Sequence, residues 1–282
     1  MSDARVRRAP RILILRVVKA AALVSAVAGA VFLAGCGGSV VPSVHSDAER
    51  MTVGRRLLQQ GELNGAIELF KSYIERNGGA SDVDQAVYLL GECYLRQKEW
   101  NSAELEFERL LRDYPESDSS GAAAFRLGDA LYSQARGPDF DTEFVQKALT
   151  QWLEYRSSYP GHWRQKEADE RIRHARDLLA HKLLTSARLY TKLRMVTPAR
   201  VYFERILTDY GGLGIAGEAD IGLAICDRLD GKKEEAIARL ERIEREHPNM
   251  PVAAIAHREL ERTRKMKSHT PAKPEPHPIP DS

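Results

Sequence analysis

The sequence predicts an all-α fold, a right-handed solenoid of about five stacked helix–turn–helix repeats. Three observations predict it. Leu, Ala, Glu and Arg dominate the 282 residues, and most glycines and prolines beyond the leader fall in short clusters, a composition of helices separated by breakers. A ten-residue pattern recurs. Gly61-Glu62-Leu63-Asn64-Gly65-Ala66-Ile67-Glu68-Leu69-Phe70 is matched by Lys98-Glu99-Trp100-Asn101-Ser102-Ala103-Glu104-Leu105-Glu106-Phe107. The spacing of a small residue and an aromatic returns at Ala148/Trp152 and Ala199/Phe203, and with an aliphatic residue at Ala236/Leu240. Finally, each such segment closes on a breaker: Gly78, Tyr114-Pro115, Tyr159-Pro160, Tyr210-Gly211 and His247-Pro248. Proline ends a helix because it lacks an N–H and restricts the residue before it.

Taken in order, the repeats span 47–80, 84–117, 121–160, 180–213 and 217–250. In each, an earlier helix carries a small residue (Gly54, Gly91, Gly128, Ala187, Ala224) that lets two axes approach, and an aromatic such as Phe107 or Trp152 fills the space beside it. One hairpin cannot bury its apolar face alone, whereas stacked hairpins share a continuous core. This 34-residue pattern resembles the tetratricopeptide repeat. Two segments depart from it. Residues 137–144 insert about eight residues into the third unit, and 165–179 add a helix whose Ala168, Ile172, Ala175 and Leu179 fall on one face. The domain plan is therefore 47–160 for repeats one to three and 161–267 for the extra helix with repeats four and five. The Pro-rich stretch 268–282 has the composition of a disordered tail.

The first 35 residues read as a leader. Six basic residues flank an uncharged run over 20–35, shorter than the ~20 residues a membrane span needs. The run ends in Leu33-Ala34-Gly35-Cys36, which resembles the bacterial lipobox. That resemblance implies cleavage before Cys36, lipid including palmitate on its thiol, and a short lipidated linker over 36–46. The leader holds six of the 42 basic and one of the 40 acidic residues, so the remainder carries 36 against 39, a net charge of −3. A weakly acidic chain is ill suited to nucleic acid.

Solenoids of this kind usually bind on the face lined by the first helix of each hairpin. Met51, Tyr88 and Phe125 recur at intervals of 37 residues, with Arg55, Glu92 and Asp129 one turn on and Tyr132 beyond. They read either as a substrate-peptide strip or as ordinary packing between repeats. A basic stretch follows from 164 to 205; within it Arg188, Lys192 and Arg194 suit an acidic protein partner or a solvated face. Other signals carry no chemistry. The glycines of 212–217 match a dinucleotide fingerprint but follow a helix, where the motif needs a strand. His174 and His181 lack a third metal ligand, and Cys93 and Cys226 lie in equivalent places three units apart, too distant to bridge. No nucleophile–base pair or phosphate loop is present in the sequence, which reads as a non-enzyme with no cofactor beyond the lipid.

The leader, five repeats, the insertion in the third and the extra helix before the fourth resemble the BamD family of outer-membrane assembly lipoproteins. The likeness covers about 47–248, carried by 61–70, Leu110-Leu111-Arg112-Asp113-Tyr114-Pro115 and Ile206-Leu207-Thr208-Asp209-Tyr210. Arg76-Asn77-Gly78-Gly79 departs from it, because the family usually has Tyr-Pro there. The resemblance implies a periplasm-facing, lipid-anchored scaffold of the outer membrane. Its early repeats would hold the tails of unfolded outer-membrane proteins, using Met51, Tyr88, Phe125 and Tyr132. Its later repeats would dock a BamA-like barrel subunit and other assembly lipoproteins, through Arg188, Lys192 and Arg194. The alternative is a repeat adaptor organising cell-wall enzymes or a secretion or pilus complex.

Overall fold

The computed structural model describes residues 42–135 and 142–266. The leader, Cys36, most of the 137–144 insertion and the Pro-rich tail lie outside the described residues. Among these, every regular element is a helix. The chain divides into two compact units after Ala80.

The first unit holds α1 (Asp47–Gln60) and α2 (Leu63–Arg76). Ser46 caps α1 by accepting the Glu49 N–H at 3.1 Å, as an N-cap serine should. Gly61 then takes a left-handed φ of 82°, and two residues suffice to turn the chain into α2. The Phe70 ring lies against Gly54 so closely that a Cβ there would stand 2.8 Å from it. Met51, Leu58, Leu69 and Tyr73 are also buried. At 76–79, Asn77 ends α2 by bonding the Tyr73 carbonyl through both its backbone and its side-chain N–H groups.

The second unit contains α3 (Val83–Gln97), α4 (Trp100–Asp113), α5 (Ser120–Ser133), α6 (Glu143–Ser158), α7 (Gln165–Lys192), α8 (Val196–Tyr210), α9 (Ala216–Leu229), α10 (Lys233–Glu246) and α11 (Pro251–Arg264). Consecutive helices pack on one another throughout. Tyr114, Tyr159 and His247, each just before a proline, cap α4, α6 and α10, and Gly211 caps α8. The small–aromatic spacing places Phe107 of α4 on Gly91 of α3, with 2.6 Å left for a Cβ, and Trp152 of α6 on Gly128 of α5. Buried Trp152 also donates to the Phe125 carbonyl at 3.3 Å. Phe203 of α8 departs from this rule. It fills the space at Gly222 of the following helix α9, because its own hairpin offers Ala187 where the first three have glycine.

Two features correct the expected plan. The extra helix of 165–179 and the first helix of the fourth repeat, expected from 180, are one continuous helix of 28 residues. No glycine or proline interrupts it, and its buried stripe runs Ala168, Ile172, Ala175, Leu179, Ala180, Leu184, Ala187. Its C-terminal half packs with α8 and α9 around Ala199, Phe203, Ile206 and Leu223. The second feature is α11, which lies beyond the last expected repeat. Pro251 opens it at a position where a missing N–H is harmless. Its Val252, Ala256 and Leu260 close the core of α9 and α10.

Candidate functional site

The expected strip is largely interior. Met51 of α1 is buried at 6% exposure, with Arg55 half-buried one turn on. Phe125 is fully enclosed, its ring edge-on to Tyr155 with centroids 5.5 Å apart. Tyr88 is half-buried and tilts toward Phe107 at 6.0 Å. Tyr88 and Phe125 meet the second helix of their own hairpin and Met51 is buried, so Met51 and Phe125 offer no surface to a peptide. That half of the expected strip is corrected by burial.

What the second unit presents instead is a chain of charges across α3, α5 and α7. Glu92 of α3 accepts from the Tyr88 hydroxyl at 3.2 Å and pairs with Arg126 of α5 at 2.6 Å. Arg126 also holds Asp129 at 3.0 Å, and Asp129 takes Arg171 of α7 at 3.1 Å. One turn on, Tyr132 rests on Trp152 at 5.7 Å, and its hydroxyl lies 3.1 Å from Nε2 of His174 on α7. Three first helices are thereby tied side by side through buried Glu92 and through Tyr88, Arg126, Asp129 and Arg171, which stay partly open to solvent.

The electrostatics follow from half-burial. The Tyr88 phenol is pushed up to about 12 by burial and by the Glu92 carboxylate, so it is a neutral hydrogen-bond donor at any physiological pH. Burial raises Asp129 above the usual carboxylate value, and Arg171 and Arg126 hold it down only in part. Burial works against the Arg126 charge, but Glu92 and Asp129 outweigh it and push its pKa up. Arg126 is therefore a fixed cation whose guanidinium is taken up by two carboxylates, Glu92 and Asp129.

The turn entering α7 adds an aromatic edge. Arg164 lies 4.3 Å from the Trp163 ring centroid and 4.9 Å from that of Phe125, stacking between the two, and it pairs with Glu167 at 2.9 Å. Trp163 itself is 74% exposed. His162 Nδ1 lies 2.7 Å from the Tyr155 hydroxyl and 3.4 Å from the Arg164 backbone N–H. An N–H can only donate, so Nδ1 is the acceptor, Tyr155 donates, and the imidazole is neutral with its proton on Nε2. Burial and the nearby Arg164 push the His162 pKa below its ordinary value, in agreement with that tautomer.

Sequence reasoning named Tyr88, Glu92, Asp129 and Tyr132, which the fold brings together, but missed Arg126, Arg164 and Trp163. Trp163 had a signal, being an aromatic placed in a breaker segment where no core needs it. Arg126 had none, because it falls beside Phe125 and outside any periodic strip.

Arg188, Lys192 and Arg194 lie elsewhere, at the C-terminal end of α7. Arg188 pairs with Glu218 of α9 while remaining 62% exposed. Lys192 and Arg194 are exposed, with no carboxylate partner among the described residues. Arg194 has a φ of 59°, at the same turn position as Gly61, Lys98 and Gly231. Leu189 and Leu193 stand out beside them at 54% and 57% exposure. A second charge cluster links Asp227 of α9 to Arg200 at 2.8 Å and Arg239 at 3.2 Å, and is buried to the same degree as the Glu92–Arg126 pair. Among the described residues there is no group of three metal-ligating side chains. Cys93 and Cys226 are free and buried, their thiols pushed up to about 12 and about 11 mainly by that burial, so neither is a ready nucleophile.

A family model described as YfiO, outer membrane lipoprotein, matches residues 44–222. The chain belongs to the YfiO family. No curated protein matches it. Among solved structures it is similar to the TPR2AB domain of yeast Sti1 in complex with pHSP90, at 12% identity over 76% of this chain and 83% of that one, TM-score 0.41. A thermophilic tetratricopeptide protein of Thermus thermophilus matches at 16% identity, 78% and 100% coverage and TM-score 0.36. Pseudomonas aeruginosa pilF matches at 16%, 76% and 97%, TM-score 0.35. At these values the structures carry no argument about this chain. The YfiO match, by contrast, runs from just before α1 into α9, covering the charge chain and the long helix α7 together. No described helix is long and apolar enough to cross a membrane.

Proposed function

We propose that this protein is a non-catalytic scaffold of the outer-membrane β-barrel assembly machinery. Lipid on Cys36 holds it to the periplasmic face of the outer membrane. The observation that carries this reading is membership of the YfiO outer membrane lipoprotein family over residues 44–222. The face built from Tyr88, Glu92, Arg126, Asp129, Tyr132 and Trp163 receives extended segments of unfolded outer-membrane proteins. Its support is chemical. The exposed Trp163 indole and the half-buried Tyr88 ring offer ring faces to a chain whose aromatic side chains are still unpaired. Arg188, Lys192 and Arg194 dock a BamA-like barrel subunit, their exposed cations meeting acidic periplasmic domains.

Affinity capture of the lipidated protein from gently solubilised outer membrane tests this. Mass spectrometry is expected to find a large barrel protein with repeated periplasmic domains, and the Lys192→Glu/Arg194→Glu double variant is expected to reduce its recovery several-fold. Recovery of wall hydrolases or pilus components in its place would transfer the protein to the adaptor class.

A further inference from the structure

The C-terminal half contains a cavity of about 210 Å³ bordered by α7, α9 and α11. Its walls are largely apolar, with the Phe203 ring, Ile221 and Ile225 from α9 and Ile255 from α11, and Thr191 of α7 and Glu259 of α11 complete the lining. Ile225 and Ile255 are only partly covered by the neighbouring core. The Phe203 ring packs onto Gly222 of α9 and forms one wall of the cavity. At the mouth, Arg188 and Glu218 pair with each other, so the rim is locally neutral. Such a volume is below that of a pocket for a drug-sized ligand, about 300 Å³ or more, and suits a single large side chain.

The wall formed by α7 has one sign of charge. Residues 178–203 include no Asp or Glu, and Lys192 stands one turn beyond Arg188 on the same side of the helix. We propose that this cavity is a second peptide-binding site, taking one large apolar side chain of an extended partner segment whose next residues are acidic. The apolar anchor enters between Ile225 and Ile255, and the following carboxylates reach Lys192 and Arg194. The inference rests on reading this half as the partner-docking half. It is separate from the Tyr88–Arg126 face, which is built on α3, α5 and the start of α7.

The test is fluorescence anisotropy with the lipidated full chain in detergent. The probe is a fluorescein-labelled Gly/Ser peptide bearing one Phe followed by two Glu. Saturable binding is expected, about tenfold weaker when the peptide Phe is changed to Ala, in line with the loss of a buried aromatic anchor. Lys192→Glu is expected to weaken the Phe-Glu-Glu peptide and to strengthen its Phe-Lys-Lys counterpart, a reversal that a merely destabilised protein would not give. Arg56→Glu, which changes an exposed cation on α1, is expected to change nothing. The proposal is overturned by absence of saturable binding, by equal binding of the Ala peptide, by insensitivity to Lys192→Glu, or by loss of binding in Arg56→Glu. The capture experiment fails independently. Wall hydrolases captured beside intact, Lys192-dependent peptide binding would sink the assembly role and leave this site standing, and the converse result would do the opposite.

Discussion

Gly91 shows how a single residue sets the spacing of a hairpin. A methyl added there would meet the Phe107 ring at 2.6 Å, inside any tolerable contact. Alanine is favoured over glycine within a helix by about 1 kcal/mol, while overpacking a core costs about 1–3 kcal/mol. Gly91→Ala is therefore expected to lose roughly 1 kcal/mol in urea unfolding, and Phe107→Leu in that background is expected to recover part of the loss. His162 makes a second prediction at this scale. Its pKa is lowered by burial and by Arg164, so the fold prefers the neutral ring. The contribution is present above the ordinary value near 6.5 and is lost as pH falls through the lowered value. Between pH 7.5 and 5 the wild-type Tm should fall further than that of His162→Gln, and equal slopes would remove His162 from the account. The residues behind the small–aromatic rule were legible in the sequence because packing leaves a period. Arg126 and Arg164 were not, because an ion pair made across 34 residues, Arg126 to Glu92, and a ring contact between distant helical segments, Arg164 to Phe125, leave no local pattern.

α7 is the element where sequence and structure differ most. The extra segment and the next repeat read as separate because the 34-residue template starts a new unit after Leu179. Within 165–192 there is neither a breaker nor a left-handed residue, so the local rule for a helix outweighs the repeat rule. The two readings part at Ala180. Proline is tolerated at a helix start but costs about 3 kcal/mol or more in an interior. Ala180→Pro is accordingly expected to lower Tm sharply and reduce helical circular dichroism, whereas a tolerated proline would mean that α7 is two helices. The opposite case is the short turn after the first helix of a repeat. Gly61 and Gly231 could be recognised as turn residues, but Lys98 and Arg194 occupy the same left-handed place with no sequence signal. α11 was also missed, although Pro251 followed by Val252, Ala256 and Leu260 marks its start and its buried face.

At the scale of the molecule, repetition made the fold legible and hid the site. Every hairpin needs the same buried partners, so the strongest periodic signal, Met51 to Phe125, reported the core. The exposed chemistry lies in residues that break the period, Trp163 in a turn and the cations at the end of α7. Family membership places the chain among outer membrane lipoproteins, and the exposed chemistry supports binding in place of catalysis. The central claim is that the Tyr88–Arg126 face holds unfolded outer-membrane proteins. It is tested most directly by equilibrium binding of a fluorescent peptide, the C-terminal strand of an outer-membrane β-barrel protein, to the lipidated chain and its Tyr88→Ala, Trp163→Ala and Arg188→Glu variants. The account predicts about tenfold weaker binding in the first two and no change in the third. Equal affinity across all three variants, or a loss confined to Arg188→Glu, would contradict it.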